Sequence, residues 1–282
     1  MGQLDDRVVV ITGAGAAVGR AVALLLAAEG AQVVMSEAAA GGGDGREQPS
    51  AVQETAKQIE AAGGQVTVSA SVPTTTAGAA ALVADAVARH GGVDVLINGI
   101  EPPAGGLLLE LGEEAWAAVV DGHPKAACLA LQATARHMVS QGRGGRIVNT
   151  TSLAALQGQP GQVHLATAQA GIYGLTRVAA TELQRSQITV NAVAPVAQGT
   201  TGSGRHEAEL DSLGALTPEH VAPAVLMLAS DLCGERTGRV LGVCGSRVYS
   251  LELVESRGKL KDQDAPWTAE EIAEHWGGIC RV

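Results

Sequence analysis

Val8-Val-Val-Ile-Thr-Gly13-Ala-Gly15-Ala-Ala17-Val18-Gly19 is the stretch that decides the fold. Four β-branched residues in a row, Val8 to Ile11, read as a strand buried on both faces; a strand with one wet face would alternate. Gly13, Gly15 and Gly19 follow at once, and Arg20 to Glu29 reads as a helix closed by Gly30. Glycines between a strand and a helix let the backbone approach a pyrophosphate, which then lies on the helix N-terminus. Glu37 closes the next strand, Gln32 to Met35. An acid there can hydrogen-bond an adenosine ribose and repel a 2′-phosphate, favouring NAD(H) over NADP(H).

Outward from this unit the alternation repeats. Strands are expected at Val66 to Ala70, Val93 to Ile97, Arg146 to Thr150, Ile188 to Ala194 and Val240 to Cys244. Helices are expected to end at Ala62 and to span Ala77 to His90, Glu113 to Gln141, Gly161 to Ser186 and Pro218 to Ser230, with a local bend at Pro124. Strand–helix alternation of this kind means an α/β fold, a Rossmann-type doubly wound parallel sheet with helices on both faces. Ala38 to Pro49 reads as a surface loop, and the polar, Gly-rich Gln198 to Gly214 has the size of a lid. After Arg247 the pattern turns into a charged tail in which Thr268 caps a short helix carrying Trp276. The expected organisation is one domain over 1–247 and a C-terminal extension over 248–282 packed on it.

Composition narrows the function classes. The chain has 282 residues, enough for one large α/β domain, although length alone also allows two small ones. Apolar residues reach 46% but aromatics only 2%, with no Phe, so Ala, Val, Leu and Ile must build the core. Nineteen basic against twenty-nine acidic residues, with no basic stripe, argue against nucleic-acid binding. No apolar run approaches the roughly 18–20 residues of a membrane span. No signal peptide is expected in the opening stretch, because Asp5, Asp6 and Arg7 interrupt it. Cys128, Cys233, Cys244 and Cys280 are scattered without a CxxC pair, so neither a metal site nor a disulfide frame is expected, and a reducing cytoplasm is.

These motifs, in this order, resemble the short-chain dehydrogenase/reductase family over almost the whole chain. Asp94-Val-Leu-Ile-Asn98, Gly145-Arg-Ile-Val-Asn-Thr-Thr-Ser152, Val190-Asn-Ala-Val-Ala-Pro195, and Leu228-Ala-Ser-Asp231 with Thr237-Gly238 each match a family motif. Arg257-Gly258, Ala265-Pro-Trp-Thr-Ala-Glu-Glu271 and Trp276 are similar to the extension of the (3R)-hydroxyacyl-CoA dehydrogenase domains of type 2 multifunctional β-oxidation enzymes. The resemblance implies a seven-stranded parallel sheet and a dimer or tetramer. It also implies a nicotinamide cofactor held by Gly13, Gly15, Val18, Gly19, Glu37 and Asn98.

The family's reaction needs a Tyr to pass a proton to or from the substrate oxygen. A Lys four residues later lowers the Tyr pKa and holds the nicotinamide ribose, and a Ser thirteen residues earlier orients the carbonyl. Ser152 matches the Ser. The Tyr position is Leu165 and the Lys position Gln169, with Gly161-Gln162 and Ala168-Gln-Ala-Gly171 fixing the alignment on both sides. Leucine exchanges no proton, and a neutral amide cannot depress a phenol pKa. Other departures lie on the same side of the fold. Ala17 replaces a loop glycine, Asn98-Gly-Ile-Glu101 replaces N-N-A-G, the acid after the third strand is missing from Ala70-Ser-Val72, and Pro195-Val196 replaces P-G. Tyr173 lies eight residues past Leu165, about 12 Å along a helix and about 80° around it, and cannot substitute. His164 points away from Leu165. His123, at the position of the family's helix-borne Asn, is a candidate partner for Ser152, while Asp121 reads as a solvated helix charge.

The expectation is therefore a catalytically degenerate homologue. It would be the non-catalytic subunit of a hetero-oligomeric NAD-dependent hydroxyacyl-CoA or hydroxysteroid-type dehydrogenase, partnered by an active paralogue and in contact with an acyl-CoA or steroid-like ligand. NAD(H) binding is expected to be weak or absent. The alternatives are an active NAD(H)-dependent oxidoreductase with a non-standard proton donor, and a ligand-sensing regulatory protein.

Overall fold

The computed structural model describes residues 2–37, 50–99, 105–197, 216–261 and 265–281. The Ala38 to Pro49 loop, the Gln198 to Gly214 lid and Glu101 lie outside them. The chain divides into two compact units, Met1–Ser250 and Leu251–Val282.

In the first unit β1 (Val8–Thr12) is buried at every position. Val9 and Ile11 face one core cluster and Val8 and Val10 the other, which is why the run does not alternate. The remaining strands are β2 (Gln32–Ser36), β3 (Gln65–Val68), β4 (Val95–Asn98), β5 (Gly145–Thr150), β6 (Ile188–Val196), β7 (Val240–Cys244) and β8 (Arg247–Ser250). They form one sheet in the order β3-β2-β1-β4-β5-β6-β7-β8. The first seven strands are parallel, as expected, and the order reverses direction between β1 and β4, the crevice where such sheets bind ligands.

The eighth strand is an addition to the expected seven. It runs antiparallel to β7, is mostly exposed, and carries only Arg-Val-Tyr-Ser, too short a pattern to announce itself. Tyr249 lies opposite Gly242, and a Cβ on Gly242 would fall 2.3 Å from its ring, so the glycine makes room for the tyrosine to cover the strand.

Helices cover both faces. α1 (Ala17–Ala28), α2 (Ala51–Ala61) and α8 (Ala222–Ala229) pack Leu26, Ile59 and Leu228 on one side. α3 (Thr76–His90), α5 (His123–Gln141) and α7 (Val163–Leu183) pack Leu82, Met138 and Ala180 on the other. α4 (Glu113–Val120) and the short α6 (Ala154–Gln157) complete the first unit's described helices. The expected single helix over Glu113 to Gln141 is two helices. Pro124 stands in the first turn of α5, where its missing N–H costs nothing, and Gly122 caps the break. The helix expected over Pro218 to Ser230 opens with a separate 3-10 turn, Pro218–His220. β6 continues past Pro195 to Val196. Ala192 N–H already points to the β7 side, onto Arg239 O, so by alternation the proline nitrogen faces the β5 side, beyond the last β5 partner, Thr150.

The second unit is built on α9 (Ala269–Ile279). Thr268 Oγ1 accepts from Glu271 N and Glu271 Oε2 accepts from Thr268 N, the capping box expected from the sequence. Lys261 Nζ lies 2.7 Å from the same Oε2, and Trp267 meets His275 edge-on. Among the described residues no helix is long and apolar enough to cross a membrane.

Candidate functional site

The nucleotide loop follows β1. Gly13 has a left-handed φ of 65°, which a side chain would strain. A Cβ on Gly19 would sit 2.5 Å from Gly13 O, so that glycine is required by packing of α1 on the loop. Gly15 has a different reason. Its missing Cβ would meet Ala51 and Val52 side chains at 3.1 and 3.3 Å and Glu37 Oε2 at 3.4 Å. Gly15 and Glu37 therefore face each other across a narrow space. Glu37 Oε1 is buried there without a hydrogen-bond partner among the described residues. Val18 turns its side chain into the core and leaves only its backbone for a ligand. Ala16 gives α1 no side-chain cap, and no acid stands in its first turn, so the positive end of the helix is uncompensated. Ser69, just past β3, donates to Asp85 at 2.5 Å and Ser71 donates to the same oxygen at 3.4 Å, holding that loop in place of the missing acid.

The other end of the cleft is built from β4, β5, α5 and α7. Asn98 Nδ2 donates to Asn149 Oδ1 and to Ala127 O, and Asn149 Nδ2 donates to Thr176 Oγ1. This buried ladder ties both strand ends to both helices through the Asn98 amide nitrogen, while Asn98 Oδ1 is buried without a partner among the described residues. Ser152 is buried just beyond β5. The neighbouring Thr151 hydroxyl donates to Gln169 O at 2.9 Å, locking the strand end to α7.

Leu165 and Gln169 lie one turn apart on α7, and both have no exposed surface. Leu165 packs with Val119 of α4 and Ala168 in a small apolar cluster. Gln169 Nε2 lies 3.3 Å from His123 Nε2, donating to a ring nitrogen that must then carry a lone pair. Burial agrees with that protonation state by pushing the His123 pKa down to about 4. The sequence leaves a Ser152–His123 pair as one possibility; the partner described for His123 is Gln169. His164 is buried with Nδ1 unpartnered among the described residues, and Asp121 is exposed at the end of α4. Of the two tyrosines in the chain, Tyr173 is buried on α7 and Tyr249 lies on β8. The second was not considered from sequence. Neither stands at the proton-donor position.

The fit to a nicotinamide dinucleotide therefore differs along its length. Gly13, Gly15, Glu37 and the bare end of α1 suit an adenosine diphosphate. Leu165 and Gln169 offer neither the proton donor nor the cation that a nicotinamide ribose and reacting oxygen require.

Comparison with known proteins agrees with this architecture. Residues 7–210 match the short chain dehydrogenase family. A short chain dehydrogenase from Mycobacterium avium superposes with a TM-score of 0.85 at 35% identity, covering 99% of this chain and 96% of that one. The peroxisomal multifunctional enzyme type 2 of Mus musculus is 31% identical over 281 residues, 99% of this chain and 37% of that protein. The subunit BbsD of a hydroxy(phenyl)methylsuccinyl-CoA dehydrogenase from Thauera aromatica is 33% identical over 253 residues, 86% of this chain and 97% of that protein. With its loop glycines, its parallel sheet and this match across most of its length, the chain belongs to the short-chain dehydrogenase/reductase family.

Proposed function

We propose that this chain is a catalytically degenerate member that serves as the non-catalytic subunit of a hetero-oligomeric, NAD-dependent dehydrogenase acting on a hydroxyacyl-CoA or a related steroid-derived substrate. The observation that carries the reading is Leu165, buried in an apolar cluster where the family's proton donor belongs. Gln169 supports it. Its amide is neutral and is engaged by a neutral imidazole, so nothing at that position lowers a hydroxyl pKa. The packing frame around the site is meanwhile intact, including the buried Asn98–Asn149–Thr176 ladder. A relative whose name makes it one subunit of a CoA-thioester dehydrogenase fits the same reading. Four scattered cysteines without a CxxC pair suit a reducing cytoplasm.

The competing reading is an active oxidoreductase with a water held by Ser152 and His123 as its donor. It needs the free Nε2 lone pair of His123, which the Gln169 amide occupies.

Two measurements test the proposal. The purified chain, given NAD+ and 3-hydroxyacyl-CoA or hydroxysteroid substrates, is expected to show no turnover. Native mass spectrometry of the tagged chain from its own cells is expected to show a mixed dimer or tetramer with an intact short-chain dehydrogenase. NAD-linked turnover lost on Ser152→Ala would overturn the reading, as would a clean homo-oligomer.

A further inference from the structure

We infer that the cleft takes an adenosine diphosphate group without a phosphate on its ribose, and that it does not hold the nicotinamide half of a dinucleotide. The inference deepens the reading of the site as one without a reaction and rests on it. Its ligand class would be ADP, or the ADP portion of NAD+.

Three features prepare one end of the cleft. Gly15 leaves a gap bordered by Ala51, Val52 and Glu37, and a Cβ would fill it. Glu37 turns Oε2 toward that gap and buries Oε1 without a partner among the described residues, an acceptor that a ribose hydroxyl pair would satisfy. The same negative charge disfavours a phosphate on that ribose. The N-terminus of α1 has no cap side chain and no first-turn acid, leaving its free N–H groups and partial positive charge for a diphosphate.

The other end is shut by side chains rather than left bare. Leu165 and Gln169 have no exposed surface, and the apolar cluster of Leu165 with Val119 and Ala168 fills the space beside the position where a proton donor would stand. Gln169 presents an amide in place of an ammonium, and its Nε2 is already bonded to His123. Its Oε1 is buried without a partner among the described residues. Asn98 gives both amide hydrogens to Asn149 and Ala127, so no donor of its side chain remains for a ligand, although its Oδ1 has no partner among the described residues. The binding free energy of a dinucleotide is thus expected to come from one half alone.

Calorimetric titration of the full chain with ADP, NAD+, NADP+ and nicotinamide mononucleotide tests this directly. ADP and NAD+ are expected to bind within about threefold of each other, because Leu165 and Gln169 give the nicotinamide riboside neither a donor hydroxyl nor a cation. NADP+ should bind at least about tenfold more weakly than NAD+, and nicotinamide mononucleotide should not saturate. Glu37→Gln, an isosteric change at the mouth of the cleft, should weaken ADP about tenfold and narrow the gap between NAD+ and NADP+. Binding of NAD+ about tenfold or more tighter than ADP would overturn the inference, because the nicotinamide half would then be held. So would the absence of any heat with ADP at millimolar concentration. Tight NAD+ binding without turnover would sink this inference and leave the non-catalytic reading standing. Equal binding of ADP and NAD+ by a chain found only as a homo-oligomer would do the reverse.

Discussion

At position 165 a leucine does more than withhold a proton. It fills its site, with Val119 and Ala168 closed around it. Leu165→Tyr adds a larger side chain and buries a hydroxyl in an apolar cluster, and is expected to cost about 1–3 kcal/mol. Gln169→Lys places an ammonium against a buried neutral imidazole and is costly by itself. Together the two new side chains can pair, so the double variant should lose less stability than the sum of the singles. Urea unfolding of the four proteins at pH 7 measures that coupling, and strict additivity would show that the two positions do not interact. His123 gives a pH prediction. The fold holds its pKa near 4 against an ordinary value of 6.5, so the unfolded chain takes up the proton first. Stability from the neutral ring is complete above about pH 6.5 and drains away as the pH falls toward 4. Between pH 7 and 4.5 the wild type should lose about 2 kcal/mol more than His123→Asn, as measured by paired unfolding curves.

Among the elements, the strand–loop–helix unit at the start of the chain separates packing from binding. Gly19→Ala would drive a methyl into backbone, 2.5 Å from Gly13 O, and is expected to destabilise by about 1–3 kcal/mol. Gly15→Ala meets side chains at 3.1 Å or more and should cost under about 1 kcal/mol while weakening ADP. Thermal unfolding and titration of the two variants should therefore rank them in opposite orders. The buried strands were legible in the sequence because both faces of β1, β2 and β6 are covered, so an unbroken apolar run carries the signal. Exposed β8 sends no such signal. Position 195 was misread as a strand end because proline argues against a strand unless the neighbouring strand has already stopped, as β5 has. In the site, spacing from Ser152 was enough to locate Leu165 and Gln169. The His123–Gln169 contact was not legible. It joins residues 46 apart and depends on where Pro124 starts α5.

For the whole molecule, the proposed companion role would mean that this chain contributes surface and frame rather than chemistry. Ser152→Ala in this chain is accordingly expected to leave the turnover of a mixed assembly within about twofold of the parent, while removal of the partner's own proton donor should abolish it. Assays on assemblies reconstituted with one altered chain at a time distinguish these outcomes. The closed apolar cluster at Leu165 has a last consequence, for the routes open to this sequence. On the proposed reading a working centre would need at least the two changes at 165 and 169, and either one made first leaves a folded state with a buried hydroxyl or a buried charge lacking its mate. On that reading the path to a working centre is uphill from both directions, and the arrangement would act as a ratchet, because neither change is absorbed by the core without the other.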